Sequence, residues 1–192
     1  MQKLGFCSEE FKKIPCVVTV GVFDGLHLGH MEILKTCKKL ADDLDAKSVV
    51  ITFDSNPKMK LGLQEKFDDL ISTEERDKLL NDLTLDYQCV IDFSLHMSKI
   101  SGEEFIALLC TSYDIKAMVV GEDFRCGNAS SSASVSDIQK YLTRYTSSAF
   151  LKVVPSVLVN GEVVSSSLIR RCLLTGNLEK ASRLLGRPYI LR

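Results

Sequence analysis

With 24 basic against 25 acidic side chains, the 192-residue sequence carries a formal net charge of −1. It lacks the basic excess of a duplex-wrapping protein, so nucleic acid is not an expected partner. Its hydrophobic fraction, 45%, suffices for a core, and its length suits one α/β domain with or without a small annex.

The first predicted strand is CVVTVGV (16–22), followed by a helix over 29–44 that places Ile33, Leu34, Cys37, Leu40, Ala41 and Leu44 at 3.6-residue spacing. SVVITF (48–53) reads as a strand, and STEERDKLLNDL (72–83) as a helix capped by Ser72 or Thr73. CVIDF (89–93) is the next strand, and SGEEFIALLCTSY (101–113) a helix with Ser101 and Glu104 at capping-box spacing. After the strand AMVVG (117–121) comes GNASSSASVSD (127–137), whose serine and alanine content predicts a mobile loop. Ser134 or Ser136 then caps a helix through Tyr141, and FLKVVPSV (150–157) is a strand. VLVNGEVV (157–164) predicts a hairpin turning at Asn160-Gly161. Two short helices end the chain, stopping at Gly176 and Gly186.

The strands are apolar without strict alternation, as in a parallel sheet covered on both faces. Strand–helix alternation predicts right-handed crossovers. The expected fold is thus α/β: a Rossmann-like, doubly wound parallel sheet of about five strands, with a C-terminal hairpin and helices. A single domain over 1–192, its core about 15–186, is expected. Seven cysteines, an odd number without C-x-x-C spacing, predict buried reduced thiols. No basic-then-apolar leader opens the sequence and no apolar run approaches 18 residues, so the expected location is cytoplasmic, away from the membrane.

The chemistry concentrates in VVTVGVFDGLHLGH (17–30), where Gly21, Gly25 and Gly29 follow a strand and precede a helix. Such a junction presents unpaired backbone N–H groups and the positive end of a helix dipole, both of which favour phosphate. His27 and His30, spaced i, i+3, share one helix face and can donate to phosphate without fixed charge. The stretch is neither G-x-G-x-x-G nor a Walker loop. A metal seed is a weaker alternative, since no cysteine or acid stands at zinc-finger spacing, and a pair of core histidines is another, since the strand–loop–helix order favours a phosphate site.

GVFDGLHLGH (21–30) resembles the G-x-F-D-G-x-H-x-G-H signature of the prokaryotic FAD synthetase family, within the wider H-x-G-H nucleotidyltransferase superfamily. Phe23, Asp24 and Gly25 narrow the likeness to the flavin branch. It continues in order through TFDSNP (52–57), LISTEER (70–76), ISGEEFI (100–106), VVGEDFRCG (119–127) and VSSSLIRRCLLTGNLEKASRLLGRPY (164–189). The resemblance implies an FMN adenylyltransferase, which joins AMP from ATP to FMN and releases pyrophosphate. Magnesium would ride on the phosphates, with no protein metal ligand assigned.

By the same resemblance His30 donates to the α-phosphate and His27 to the phosphates beside it. Ser166, Ser167 and Arg170 hold the β- and γ-phosphates, and Gly21, Phe23, Asp24, Gly25 and Gly29 complete the ATP side. Phe53, Asp54, Asn56, Asp123 and Phe124 fall at the flavin positions. Taken alone, SSSLIR (165–170) is a capped helix start with a solvated arginine, Asp123 is equally a turn carboxylate, and Asn56-Pro57 is a turn.

The sequence departs from the family pattern at Ser55 and Asn56, at Val163 where arginine is common, and at Ser130 and Ser132 in place of a basic residue and a glycine. These departures admit another phosphorylated acceptor, or a nucleotide- or flavin-binding module of little turnover. No riboflavin kinase module follows Arg187-Pro188-Tyr189, so conversion of riboflavin to FMN is not expected. The oligomeric state is left open.

Overall fold

The computed structural model describes residues 1–54, 69–92 and 97–189. Among these, six strands form one parallel sheet: β1 (Gln2–Gly5), β2 (Pro15–Val20), β3 (Lys47–Phe53), β4 (Tyr87–Ile91), β5 (Asp114–Gly121) and β6 (Phe150–Val154). Their order is β1-β4-β3-β2-β5-β6. The expected five are present, with β1 added at an edge.

Strand β2 explains why the sequence shows no alternation. Cys16, Val18 and Val20 face one hydrophobic layer, while Val17 faces another. The first layer is closed by Phe105, Ile106 and Leu109 of α3 (Gly102–Ser112) and by Ile138 and Leu142 of α4 (Val135–Tyr145). On the opposite face lie Leu34, Cys37 and Ala41 of α1 (Leu28–Asp43) and Leu80 of α2 (Thr73–Asn81). Both faces are covered, so both sets of alternate residues must be apolar.

From β2 the chain builds outward through β3 and β4, then returns to place β5 on the other side of β2. This is a topological switch point between β2 and β5; in open α/β sheets the crevice outside the C-terminal ends of the strands at such a point is where ligands bind. Beside it, α5 (Ser166–Leu174) and α6 (Leu178–Leu185) pack through Leu168, Ile169, Cys172, Ala181, Leu184 and Leu185, with Leu70 inserted. The hairpin of β7 (Leu158–Val159) and β8 (Glu162–Val163) turns with φ of 53° at Asn160 and 80° at Gly161, the signs a type I′ turn requires.

The serine-rich stretch departs from the expected mobile loop. The Asn128 side chain accepts from the N–H groups of Ser130 and Ser131 at 3.0 and 2.8 Å, and Ser131 O receives the Gly102 N–H at 2.8 Å. Cys126 and Ala133 form an antiparallel bridge, and Ala133 is buried. Gly127 permits this seam: a Cβ there would lie 2.1 Å from the Gly102 nitrogen. Ser134 then caps α4 in a box with Asp137, and the helix runs to Tyr145 rather than Tyr141.

Candidate active site

The loop leaving β2 makes an unusual turn. Phe23, Gly25 and Leu26 have φ of 53°, 80° and 40°. For Phe and Leu this region costs on the order of 1–2 kcal/mol each. Burial overrides that cost, for Phe23 and Leu26 are 2% and 1% exposed in the layer formed with Leu34, Val50 and Leu80. Gly25 has no such penalty, and a Cβ on it would strike Leu70 at 2.7 Å.

The turn delivers His27 to the head of α1 as its N-cap, where Nδ1 accepts the His30 N–H at 3.3 Å. With Nδ1 used as an acceptor, the ring proton is assigned to Nε2. The His30 ring stacks on that of His27, centroids 3.7 Å apart and planes 16° from parallel. Phe23 meets His30 edge-on at 5.4 Å. A Cβ on Gly29 would come within 3.2 Å of the His27 ring, so a larger residue there would press on the pair. Burial, helped by the nearby Arg187 charge, lowers the His27 pKa to about 4. Burial and the neighbouring His27 hold His30 well below the ordinary imidazole value. Both rings are neutral at pH 7, and each can present one N–H.

Asp24 joins this loop to α5. One carboxylate oxygen receives the Leu70 N–H at 2.7 Å, and the other pairs with the Arg170 guanidinium. The Asp24 carbonyl receives the Ser166 hydroxyl at 2.9 Å. Burial pushes the Asp24 carboxyl upward, opposed by Arg170 and the Leu70 N–H. The serines of 165–167 divide their tasks. Ser165 is the N-cap, accepting the Leu168 N–H at 3.2 Å; Ser166 binds the loop; Ser167 is exposed.

His27, His30, Gly21, Phe23, Asp24, Gly25, Gly29, Ser166 and Arg170 are thus assembled around one loop and one helix start. Two of these groups are incomplete: among the described residues, His30 Nδ1 and Arg170 Nε are buried without a hydrogen-bond partner. Buried polar atoms are seldom left so.

The remaining predicted residues lie at neighbouring strand ends. Phe124 closes a turn onto Gly121 O at 3.1 Å after β5 and packs on the core, while Asp123 is exposed. A Cβ on Gly121 would meet Asp123 at 3.2 Å and Ile33 of α1 at 3.3 Å, which places this turn beside α1. Phe53 and Asp54 end β3, where the Asp54 N–H reaches Ile91 O at 3.0 Å. Asn56 lies outside the described residues.

Two arginines complete the frame. Arg76 of α2 donates to Val22 O at 3.4 Å and Phe53 O at 3.0 Å, bracing the ends of β2 and β3. Arg187 donates to Leu26 O at 3.1 Å and Gly25 O at 2.8 Å. Sequence reasoning assigned a role to neither, although both lie in blocks that carry the resemblance, Arg76 at the end of LISTEER and Arg187 within LLGRPY.

Among the described residues no group of three or more His, Cys, Asp or Glu is placed to hold a metal ion. The one carboxylate inside the loop, Asp24, is already engaged. This donor set fits a cation carried by phosphate oxygens and water better than one caged by protein.

A family model described as FAD synthetase matches residues 9–168. The chain is 28% identical over 184 residues to a bifunctional riboflavin kinase/FMN adenylyltransferase of Listeria monocytogenes, covering 95% of this chain and 57% of that protein. It is 31% identical over 176 residues to the bifunctional riboflavin kinase/FMN adenylyltransferase of Buchnera aphidicola from Schizaphis graminum, covering 90% and 55%. The chain therefore spans about half the length of these curated relatives. A crystal structure named as a macrolide-efflux protein from Streptococcus pneumoniae superposes with a TM-score of 0.78 at 27% identity, covering 97% of this chain and 60% of that one. No helix among the described residues is long and apolar enough to cross a membrane.

Proposed function

The chain belongs to the FAD synthetase family, and we propose that it is an FMN adenylyltransferase, a nucleotidyltransferase that converts ATP and FMN to FAD and pyrophosphate. A terminal phosphate oxygen of FMN attacks the α-phosphorus of ATP in line. The bond from that phosphorus to the bridging oxygen breaks, and pyrophosphate leaves. No group on the protein is covalently modified, so catalysis is positioning and stabilisation of charge.

The observation that carries this reading is the stacked, neutral pair His27 and His30 at the head of α1, tied through Asp24 to Ser166 and Arg170. Neutral donors add no fixed charge that would bind substrate and transition state alike. Their hydrogen bonds strengthen as charge develops on the α-phosphate. Arg170 brings two forked N–H groups suited to the β- and γ-oxygens, and Ser167 adds an exposed hydroxyl. Magnesium is proposed to enter with ATP and would supply neutralisation of phosphate charge, with no side chain of this site assigned to hold it. Phe53, Asp54, Asn56, Asp123 and Phe124 are proposed for the flavin side, at the ends of β3 and β5. A cytoplasmic location accords with seven free thiols.

Val163, Ser130 and Ser132, where the sequence departs from the family pattern it resembles, support a second reading: a different phosphorylated acceptor. The test is incubation with magnesium, ATP and FMN, following FAD and pyrophosphate. FAD formation supports the first reading. Pyrophosphate released only with another phosphorylated acceptor supports the second. Binding of ATP or FMN without either product refutes both.

A further inference from the structure

Arg187 follows α6 and its left-handed Gly186 cap, yet its guanidinium reaches back across 161 and 162 residues of sequence. Its two N–H arms bind the carbonyls of Leu26 and Gly25, at 3.1 and 2.8 Å. Those two residues hold positive φ, and the next residue is His27. A planar fork on two successive carbonyls fixes both peptide planes at once, which a single-point donor does not do.

We propose that Arg187 is a positioning residue for the adenylyl transfer, fixing the peptide planes of 25–26 and with them the place of His27 at the head of α1. The inference rests on the proposed reaction for its kinetic consequence and on geometry alone for its structural one. Electrostatics act in the same sense. The His30 ring on α1 stacks on His27, the Arg187 cation opposes protonation of His27, and Glu75 of α2 acts in turn on Arg187. Arg187 itself is half-buried, and burial lowers its own pKa without removing its charge.

The experiment compares R187A and R187K with the wild type by two independent readouts. NMR titration of His27, without substrate, reads position and charge; steady-state kinetics read kcat and the KM for ATP. In R187A the His27 pKa rises towards the ordinary imidazole value, and kcat falls about 10- to 100-fold with a smaller change in KM, as expected for misplacement of a donor. In R187K the titration stays close to wild type because the cation remains, while kcat still falls about 10-fold because the fork is lost. A folded R187A with unchanged titration and kcat overturns the proposal. If R187A does not fold, R187K decides: a wild-type kcat there overturns the fork. If the wild type makes no FAD, the proposed reaction fails, while the backbone amide shifts of Leu26 and His27 in R187K still judge the fork: shifts identical to wild type overturn it, and displaced shifts support it.

Discussion

On the proposed nucleotide side of the crevice, Asp24 is tied to Ser166 and Arg170, and Gly25 and Leu26 to Arg187, by bonds that span 142 to 162 residues. Along the serine-rich seam beyond β5, the side chains of Ser130 and Ser134 and the Asn128 Oδ1 bind partners two or three residues away, and the ties that reach Lys99, Ile100 and Gly102 run through the Asn128 amide and the backbone. Long-range ties exist only once the fold has formed, and they fix donors before substrate arrives. Local ties form within a turn and tolerate exchange of side chains. A substitution on the first side should therefore damage turnover, and one on the second should tune affinity.

The sharpest way to break this contrast is His30→Ala. It removes a donor that is already oriented, and turnover is expected to fall about 10²–10³-fold. The melting temperature should change by only a few degrees, because the lost ring contacts with His27 and Phe23 are offset by removal of a buried Nδ1 that has no hydrogen-bond partner among the described residues. Unimpaired turnover would remove His30 from the mechanism.

Asp24→Asn comes next. It keeps an oxygen for the Leu70 N–H but deletes the charge that pairs with Arg170. Kcat/KM for ATP is expected to fall about 10-fold or more, with about 1–3 kcal/mol lost in denaturant unfolding, less than for a fully enclosed pair. The double variant D24N/R170M should lose less than the sum of the singles. Strict additivity in that cycle would show that the pair does not couple the two elements.

Acidification should separate the regions without mutation. Both histidines have folded-state pKa values below the unfolded value, so the unfolded chain binds more protons in acid. Their contribution to stability is complete above about pH 6.5 and is lost as pH falls through about 4 for His27. For His27 alone this amounts to about 3 kcal/mol at most. His27→Gln should flatten the stability profile between pH 6.5 and 4, whereas Ser132→Ala should leave it unchanged.

Much of this architecture is legible in the sequence because local rules and tertiary packing agree. The run at 16–22 is apolar on both faces since two layers cover it, and Ser72, Ser101 and Ser134 cap helices where spacing places them. Strand β1 escapes notice because QKLG is four residues long and mostly exposed, without an apolar pattern. The histidine pair is legible because glycines and a helix start surround it. What spacing alone does not reveal is which charged groups act as struts. Arg76 and Arg187 bind backbone carbonyls, which are the same in every sequence, so no partner residue announces them. Asp24 presents the same problem: its partners Leu70 and Arg170 are distant in sequence, and one is a backbone N–H.

The smallest expected effect sharpens the comparison from the other side. Val163 is 50% exposed on β8, and Ser130 is exposed in the seam. Arginine at either site meets water rather than core, so V163R and S130R should fold as the parent does. Each new cation is near the surface and screened, worth about 0.2–1 kcal/mol towards a phosphate within reach. That corresponds to a fall in the KM for FMN of at most about 5-fold for each, weakening at high salt, with kcat unchanged. Ser132 makes the less informative site, because its hydroxyl already receives the Arg125 guanidinium at 3.2 Å and a second arginine would repel it. If V163R or S130R raised kcat instead of lowering KM, the seam and hairpin would belong with the fixed side of the crevice, and the division between positioning and tuning would fail.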